Sequence, residues 1–193
     1  MEMKRLYIIA GPNGAGKTTA SYTILPEIFD CNEFVNADEI ARGLSPFNPD
    51  MVAFHAGRIM LERINELLNN GKTFALETTL STKSYVSFIK KAKVNGYEVI
   101  LLFLRLDSQE LAIERVKTRV IEGGHNIPEN VIRRRYENGL KNLFQRYIAI
   151  VDKWILIDNS KKSFNFIAEG ANDERIIKDQ ELWDELIKKY YGS

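Results

Sequence analysis

The sequence predicts an α/β fold, a parallel sheet layered between helices, and three observations predict it. Apolar runs alternate with helical patterns and leave little filler between them. Several of the runs are continuously apolar, as strands buried on both faces are. The first run breaks into a glycine-rich loop that leads at once into a helix. Right-handed crossovers between such elements place helices on both faces of one sheet, which makes three layers.

Taken in order, strands are expected over 6–10, 34–36, 73–77, 98–106 and 153–158. The clearest helix is 49–70, where Val52, His55, Ile59, Leu61, Ile64, Leu67 and Leu68 recur at helical spacing and Asn69-Asn70-Gly71 supplies the stop. A second, 82–95, ends at Gly96 in the same way, and a third, 108–122, runs into Gly123-Gly124. The fourth opens at Pro128, whose fixed φ suits a first helical position, and continues to about Tyr147. After Asp158 the texture changes. Asn159-Ser160-Lys161-Lys162 is a polar turn, 164–169 and 175–178 read as a hairpin across Gly170-Ala171-Asn172-Asp173, and 180–190 is a last helix with Leu182, Trp183, Leu186 and Ile187 on one face. With no linker or repeat in view, the expectation is a single domain over 1–193, a core of 1–160 with a hairpin-helix extension over 161–193.

The composition narrows the class. The chain has 193 residues, 45% hydrophobic and 27% charged, enough for one filled core. A formal net charge of +1 provides no field to recruit nucleic acid or an anionic membrane. One cysteine, Cys31, excludes an internal disulfide and, with two histidines, argues against a thiolate zinc site. Met1-Glu2-Met3-Lys4-Arg5 runs straight into the first strand with no room for a signal peptide, and no apolar stretch is long enough to span a bilayer. A soluble cytoplasmic protein is expected.

The first loop carries the chemistry. Gly11-Pro12-Asn13-Gly14-Ala15-Gly16-Lys17-Thr18-Thr19 fits G-x-x-x-x-G-K-[ST] at every fixed position. In such a P-loop the glycines let backbone N–H groups converge on phosphate oxygens at a helix N-terminus. Lys17 reaches the β- and γ-phosphates, and the Thr18 hydroxyl is a ligand for Mg²⁺. A nucleoside triphosphate, ATP, is therefore expected. No Asn-Lys-x-Asp guanine signal is present.

Three further clusters point to phosphoryl transfer. Arginines crowd one region as Arg115, Arg119, Arg133, Arg134 and Arg135, and a dissociative transition state needs such charge. Arg115 and Arg119, four apart, share a helix face ahead of the hinge-like Gly123-Gly124-His125-Asn126; a solvated basic face paired with Glu114 and Glu122 is the competing reading. Asp38, just past the second strand, stands at the sheet edge where ligands bind, as a base for an acceptor hydroxyl or as the N-cap of a helix over 39–44. For the metal side two acids compete. Asp107 ends an apolar strand as a Walker B aspartate does, yet Asp107-Ser108-Gln109-Glu110 has the spacing of a helix cap. If the sheet follows the kinase order 2-3-1-4-5, Glu77 and Thr78 lie beside the phosphates.

Read together, these pieces resemble the zeta toxin family of P-loop kinases, in its compact chromosomal form. The likeness is carried by Gly11–Thr19, by the Asn36-Ala37-Asp38-Glu39 segment, by Leu44-Ser45-Pro46-Phe47-Asn48-Pro49, by Ala56-Gly57-Arg58 and by Glu77-Thr78-Thr79-Leu80 with Ser84-Tyr85. It continues through Gly123-Gly124-His125-Asn126-Ile127-Pro128, Arg133 to Tyr136 and Asp158-Asn159-Ser160. The resemblance implies a P-loop kinase sandwich, five parallel strands in order 2-3-1-4-5 with a C-terminal hairpin and helix. It implies transfer of the γ-phosphoryl of ATP to the 3′-hydroxyl of a UDP-linked N-acetyl amino sugar, with Mg²⁺ as cofactor and a separate antitoxin as candidate partner. On this likeness Asp38 is the base, Lys17 and Thr18 handle ATP and metal, Glu77 and Thr78 face substrate or metal, and Arg115 and Arg119 act from the lid side. Arg134 is then a substrate contact, and Asn159 falls where such kinases hold adenine. The alternatives are a metabolic or antibiotic-modifying kinase on the same scaffold and a nucleotide-dependent switch protein.

Overall fold

The computed structural model describes residues 3–124, 126–161, 163–172 and 174–191. His125 of the hinge-like loop, Lys162 of the polar turn, Asp173 of the hairpin turn and the first two residues lie outside them. The chain opens with β1 (Arg5–Ala10), whose last five residues are buried, and passes through the glycine loop into α1 (Lys17–Glu27). Then come β2 (Phe34–Val35), α2 (Ala37–Leu44) and, after a 3₁₀ turn over Pro49–Val52, α3 (Ala53–Asn69). The buried stripe of α3 is Ala56, Met60, Ile64, Leu67 and Leu68. His55 and Leu61, expected on that stripe, are exposed, because the helix starts after the 3₁₀ turn and its phase is set there.

The parallel core continues with β3 (Phe74–Thr78), α4 (Tyr85–Val94), β4 (Glu98–Arg105), α5 (Gln109–Ile121) and α6 (Glu129–Asn142), which widens into a π-helical turn over Leu143–Tyr147. The strand β5 (Lys153–Asp158) closes this core, and β6 (Asn165–Ala171), β7 (Glu174–Ile177) and α7 (Gln180–Tyr190) follow. The order across the sheet is β2-β3-β1-β4-β5-β6-β7. The five parallel strands thus take the expected order 2-3-1-4-5.

Where the structure departs from expectation is the hairpin, which joins the sheet as two antiparallel strands and makes it seven-stranded and mixed. β6 also runs on through Gly170 and Ala171, two residues assigned by sequence to the turn. Gly170 sits opposite Trp154, so close to the indole that a side chain at 170 has no room. The indole stacks on Trp183 of α7, with ring centroids 5.6 Å apart, and that contact fastens the C-terminal helix to the sheet. Among the described residues no helix is long and apolar enough to cross a membrane.

Candidate active site

The site forms at the C-terminal ends of the parallel strands, where the sheet order reverses about β1. Gly11 leaves β1 with φ 143°, and a Cβ there would lie 2.2 Å from the Leu104 carbonyl oxygen of β4. Only glycine lets the loop turn so close to the neighbouring strand. At the other end Gly16, with φ 79°, is the N-cap of α1, and no side chain caps that helix. Its first N–H groups therefore face the loop, the arrangement that binds phosphate.

Three residues from three elements meet beside the loop. The Thr18 hydroxyl donates to Glu77 Oε2 at 2.8 Å, and Asn36 Nδ2 donates to the same oxygen at 2.9 Å. Glu77 Oε1 lies 3.6 Å from Lys17 Nζ, and Lys17 also donates to the Pro12 carbonyl at 2.9 Å. The register explains the meeting: Glu77 pairs with Ile9, and Val35 pairs with Leu76, so the next residues of β2 and β3 fall side by side. Of the two metal-side candidates, Glu77 is the one in the cleft. Asp107 accepts from the Ser108 hydroxyl, and Ser108 Oγ, not Asp107, caps α5 through the Leu111 N–H.

Asp38 lines the same cleft of about 250 Å³, with Asn13, Gly14, Gly16, Lys17, Thr18, Thr19, Glu77, Arg115 and Arg119. The capping alternative for Asp38 is corrected by the structure. α2 starts two residues earlier than expected, and Asn36 Oδ1 accepts from the Asp38 N–H at 2.8 Å as the N-cap. Asp38 is an exposed first-turn residue of that helix. Thr18 and Glu77 together offer hard oxygen donors, a hydroxyl and a carboxylate, which is the chemistry Mg²⁺ prefers. The residues present therefore fit that ion.

The arginines divide among different tasks. Arg115 spends both terminal nitrogens on backbone, Nη1 on the Asn159 carbonyl at 2.8 Å and Nη2 on the Ser160 carbonyl at 2.9 Å. Asn159 in turn donates to the Ala15 carbonyl at 2.9 Å, so α5, the loop after β5 and the P-loop are tied together. Arg119 also lines the cleft. Arg133 pairs with Glu110 at 2.6 Å and Gln109 at 3.2 Å, a tie between α6 and α5. Arg134 is exposed on α6, outside the cleft. Its neighbour Arg135 reaches the P-loop instead, donating to Asn13 Oδ1 at 3.3 Å. Burial lowers the Arg135 pKa while the charge of Asp38 holds it up.

Thr78 stands off the cleft, accepting from the Leu80 N–H at 3.1 Å. Two residues to which the sequence assigned no role of their own, Asn36 and Arg135, are thus part of the arrangement. Asn36 stood inside the quoted segment with Asp38, and Arg135 inside the arginine run, so the signal existed without a way to rank it.

Residues 2–169 match the family described as Zeta toxin. The chain belongs to the zeta toxin family. This is a family of P-loop kinases. A protein of Haemophilus influenzae strain Rd described as uncharacterized is 31% identical over 136 residues, 70% of this chain and 94% of that protein. Among solved structures, the AvrRxo1-ORF1:AvrRxo1-ORF2 complex with sulphate ions superposes with a TM-score of 0.76 at 19% identity, and the same complex with ATP at 0.74 and 18%. Each match covers 95% of this chain and 63% of that one, so the chain spans less than two thirds of the protein it resembles there. The PezAT chromosomal toxin–antitoxin system of Streptococcus pneumoniae superposes over 100% of this chain and 80% of that one, at a TM-score of 0.67 and 17% identity. These structures share the fold of this chain at under 20% identity.

Proposed function

We propose that the protein is an ATP-dependent kinase that moves the γ-phosphoryl group of ATP to a hydroxyl of a small molecule, a UDP-N-acetyl amino sugar. The observation that carries this reading is the joint placement of Lys17, Thr18, Glu77 and Asp38 around one cleft, donor side and acceptor side together. Family membership supports the reaction class, and the AvrRxo1 complex with ATP supports the nucleotide.

The residues divide the work as follows. Gly11 to Gly16 and the N-terminus of α1 hold the phosphates, and Lys17 follows the charge onto the leaving diphosphate. Asp38 orients the acceptor hydroxyl and takes its proton as the oxygen bonds to the γ-phosphorus and the bond to the ADP oxygen breaks. Thr18 and Glu77 hold Mg²⁺, which supplies neutralisation of phosphate charge when bound. Arg119 and Arg135 place positive charge against the travelling group. Arg115 and Asn159 act as braces for the nucleotide side of the cleft. A separate antitoxin chain is the proposed partner, in line with the PezAT system, and the cytoplasm is the proposed compartment.

The test is a coupled ADP-release assay across UDP-sugars, nucleosides and aminoglycosides. Acceptor-dependent ADP with a UDP-N-acetyl amino sugar supports the reading, and stimulation by an aminoglycoside alone moves the acceptor to antibiotics. ADP release indifferent to every acceptor overturns the kinase assignment. Lys17→Ala is expected to abolish turnover, whereas Asp38→Asn is expected to bind ATP and lose transfer by roughly 10²- to 10⁴-fold.

A further inference from the structure

We infer that Asn36 is a positioning residue that locks the metal-side carboxylate and the acceptor-side base into one unit, an inference that rests on the kinase reading above. Its side-chain amide has two ends, and both are committed. Oδ1 accepts from the Asp38 N–H at 2.8 Å, and Nδ2 donates to Glu77 Oε2 at 2.9 Å. The orientation of the amide is forced, because the Asp38 backbone N–H can only donate and so must face the amide oxygen, which turns the nitrogen toward Glu77. The side chain is 6% exposed, so neither bond is exchanged freely with water.

The Glu77 end has a chemical consequence. Oε2 receives two donors, Asn36 Nδ2 and the Thr18 hydroxyl, and these two lie 3.5 Å from each other. A carboxylate oxygen held from two sides keeps one rotamer. The single hydroxyl proton of Thr18 is directed to Glu77, and beside the long contact it accepts from Asn36 Nδ2 that oxygen keeps a lone pair for a hard cation. Residues that hold a ligand's far side in this way commonly set metal affinity by about 10- to 100-fold.

The Asp38 end has a mechanical one. Capping fixes the first turn of α2, and Asp38 is the second residue of that helix. The carboxylate expected to take the acceptor proton is therefore carried on a turn whose start is pinned by the same amide that pins Glu77. Shifting Asn36 moves both acids at once.

The plainer explanation is a helix cap and nothing more. Capping needs only the oxygen, and serine, aspartate or threonine serve that purpose about as well. It gives no reason to bury an amide nitrogen against a carboxylate. Asn36→Ser separates the two roles, since serine keeps the cap and is too short to reach Glu77.

The experiment uses the full chain with ATP and Mn²⁺ as the metal probe, with free Mn²⁺ followed by electron paramagnetic resonance. Asn36→Ser, Glu77→Gln and the double variant are compared for Mn²⁺ affinity, ATP affinity and melting temperature. The expected result is that Asn36→Ser leaves melting temperature and ATP affinity near wild type and weakens Mn²⁺ binding by roughly 10-fold or more. In the Glu77→Gln background the serine is expected to add nothing, because its effect runs through Glu77. Unchanged Mn²⁺ affinity in Asn36→Ser, with Glu77→Gln impaired, leaves Asn36 a simple cap and overturns the inference. A serine effect that adds fully to Glu77→Gln, or that comes with a lowered melting temperature, also overturns it in favour of a structural role. Wild-type Mn²⁺ affinity in Glu77→Gln is the separate failure, that of the metal-side reading itself.

Discussion

Arg135 reaches from α6 across to the P-loop, where its Nη1 donates to Asn13 Oδ1 at 3.3 Å. Asn13 is 5% exposed, so a charged group from a distant helix is brought to a buried position in the phosphate-binding loop. Burial disfavours the Arg135 charge and the nearby Asp38 favours it, a balance that keeps a cation beside the acceptor-side acid. Arginines that meet a transferring phosphoryl group are worth about 10³-fold or more in turnover. We therefore expect Arg135→Ala to lower kcat by roughly 10³-fold. Arg134→Ala, one residue away and exposed, is the comparison, and steady-state kinetics on both variants decides which of the adjacent arginines serves the reaction.

Gly139 of α6 packs against the loop after β3, where a Cβ would come 2.6 Å from the Thr79 carbonyl oxygen. That loop carries Leu80 at φ 53°, a left-handed conformation for a branched residue, and it is pinned from the same helical segment. Asn142 Nδ2 donates to the Leu80 carbonyl at 2.9 Å, and the Tyr147 hydroxyl to the Thr82 carbonyl at 2.7 Å. Gly139→Ala is expected to cost about 1–3 kcal/mol of stability, as overpacking against backbone does. Urea unfolding of the variant measures it, and a shift within error of zero would show that the loop yields.

Arg105 and Asp158 form a buried ion pair at the ends of β4 and β5. Asp158 also accepts from the Ser160 N–H at 2.7 Å, which shapes the loop that Arg115 grips. Removing one partner of a buried pair strands the other charge, at a cost of about 3–5 kcal/mol. Asp158→Asn is expected to fall in that range by denaturant unfolding. Nucleotide affinity should drop as well, since the Asn159–Ala15 link depends on the same loop.

The Cys31 thiol is buried, and burial pushes its pKa up from 9.0 to about 11. In the unfolded chain the thiol ionises near its ordinary value, whereas in the folded chain it stays protonated. Its contribution is complete below about pH 9 and is lost as pH rises toward 11, because the unfolded state releases the proton first. Between those values wild-type stability should fall more steeply with pH than that of Cys31→Ala. Parallel slopes in a pH series of unfolding free energies would contradict this.

Much of the architecture was legible because it rests on local chemistry. Continuous apolar runs located β1, β3, β4 and β5 to within a residue or so, and glycines after Asn70, Asn95 and Glu122 marked the helix ends. The errors fall where two neighbouring residues suit one role. Asn36 and Asp38 can both cap a helix, as can Asp107 and Ser108, and the outcome depends on which backbone N–H groups the strand before them delivers. Arg134 and Arg135 are identical by type and differ by about 100° around α6, so only the packing of that helix against α5 separates them. The pairing of β6 with β5 was out of reach for another reason. It depends on the contact of Gly170 with Trp154, which no local pattern reveals.

The sheet ends in β2, two residues long, on one side and in β7, four residues long and opened by Glu174 and Arg175, on the other. Every long apolar strand has a partner on both sides. Little unpaired backbone is left to template the addition of a foreign strand, and charge guards what remains. The hairpin thus does more than lengthen the fold: it covers β5, an apolar edge that would otherwise invite fibril growth whenever the chain is crowded.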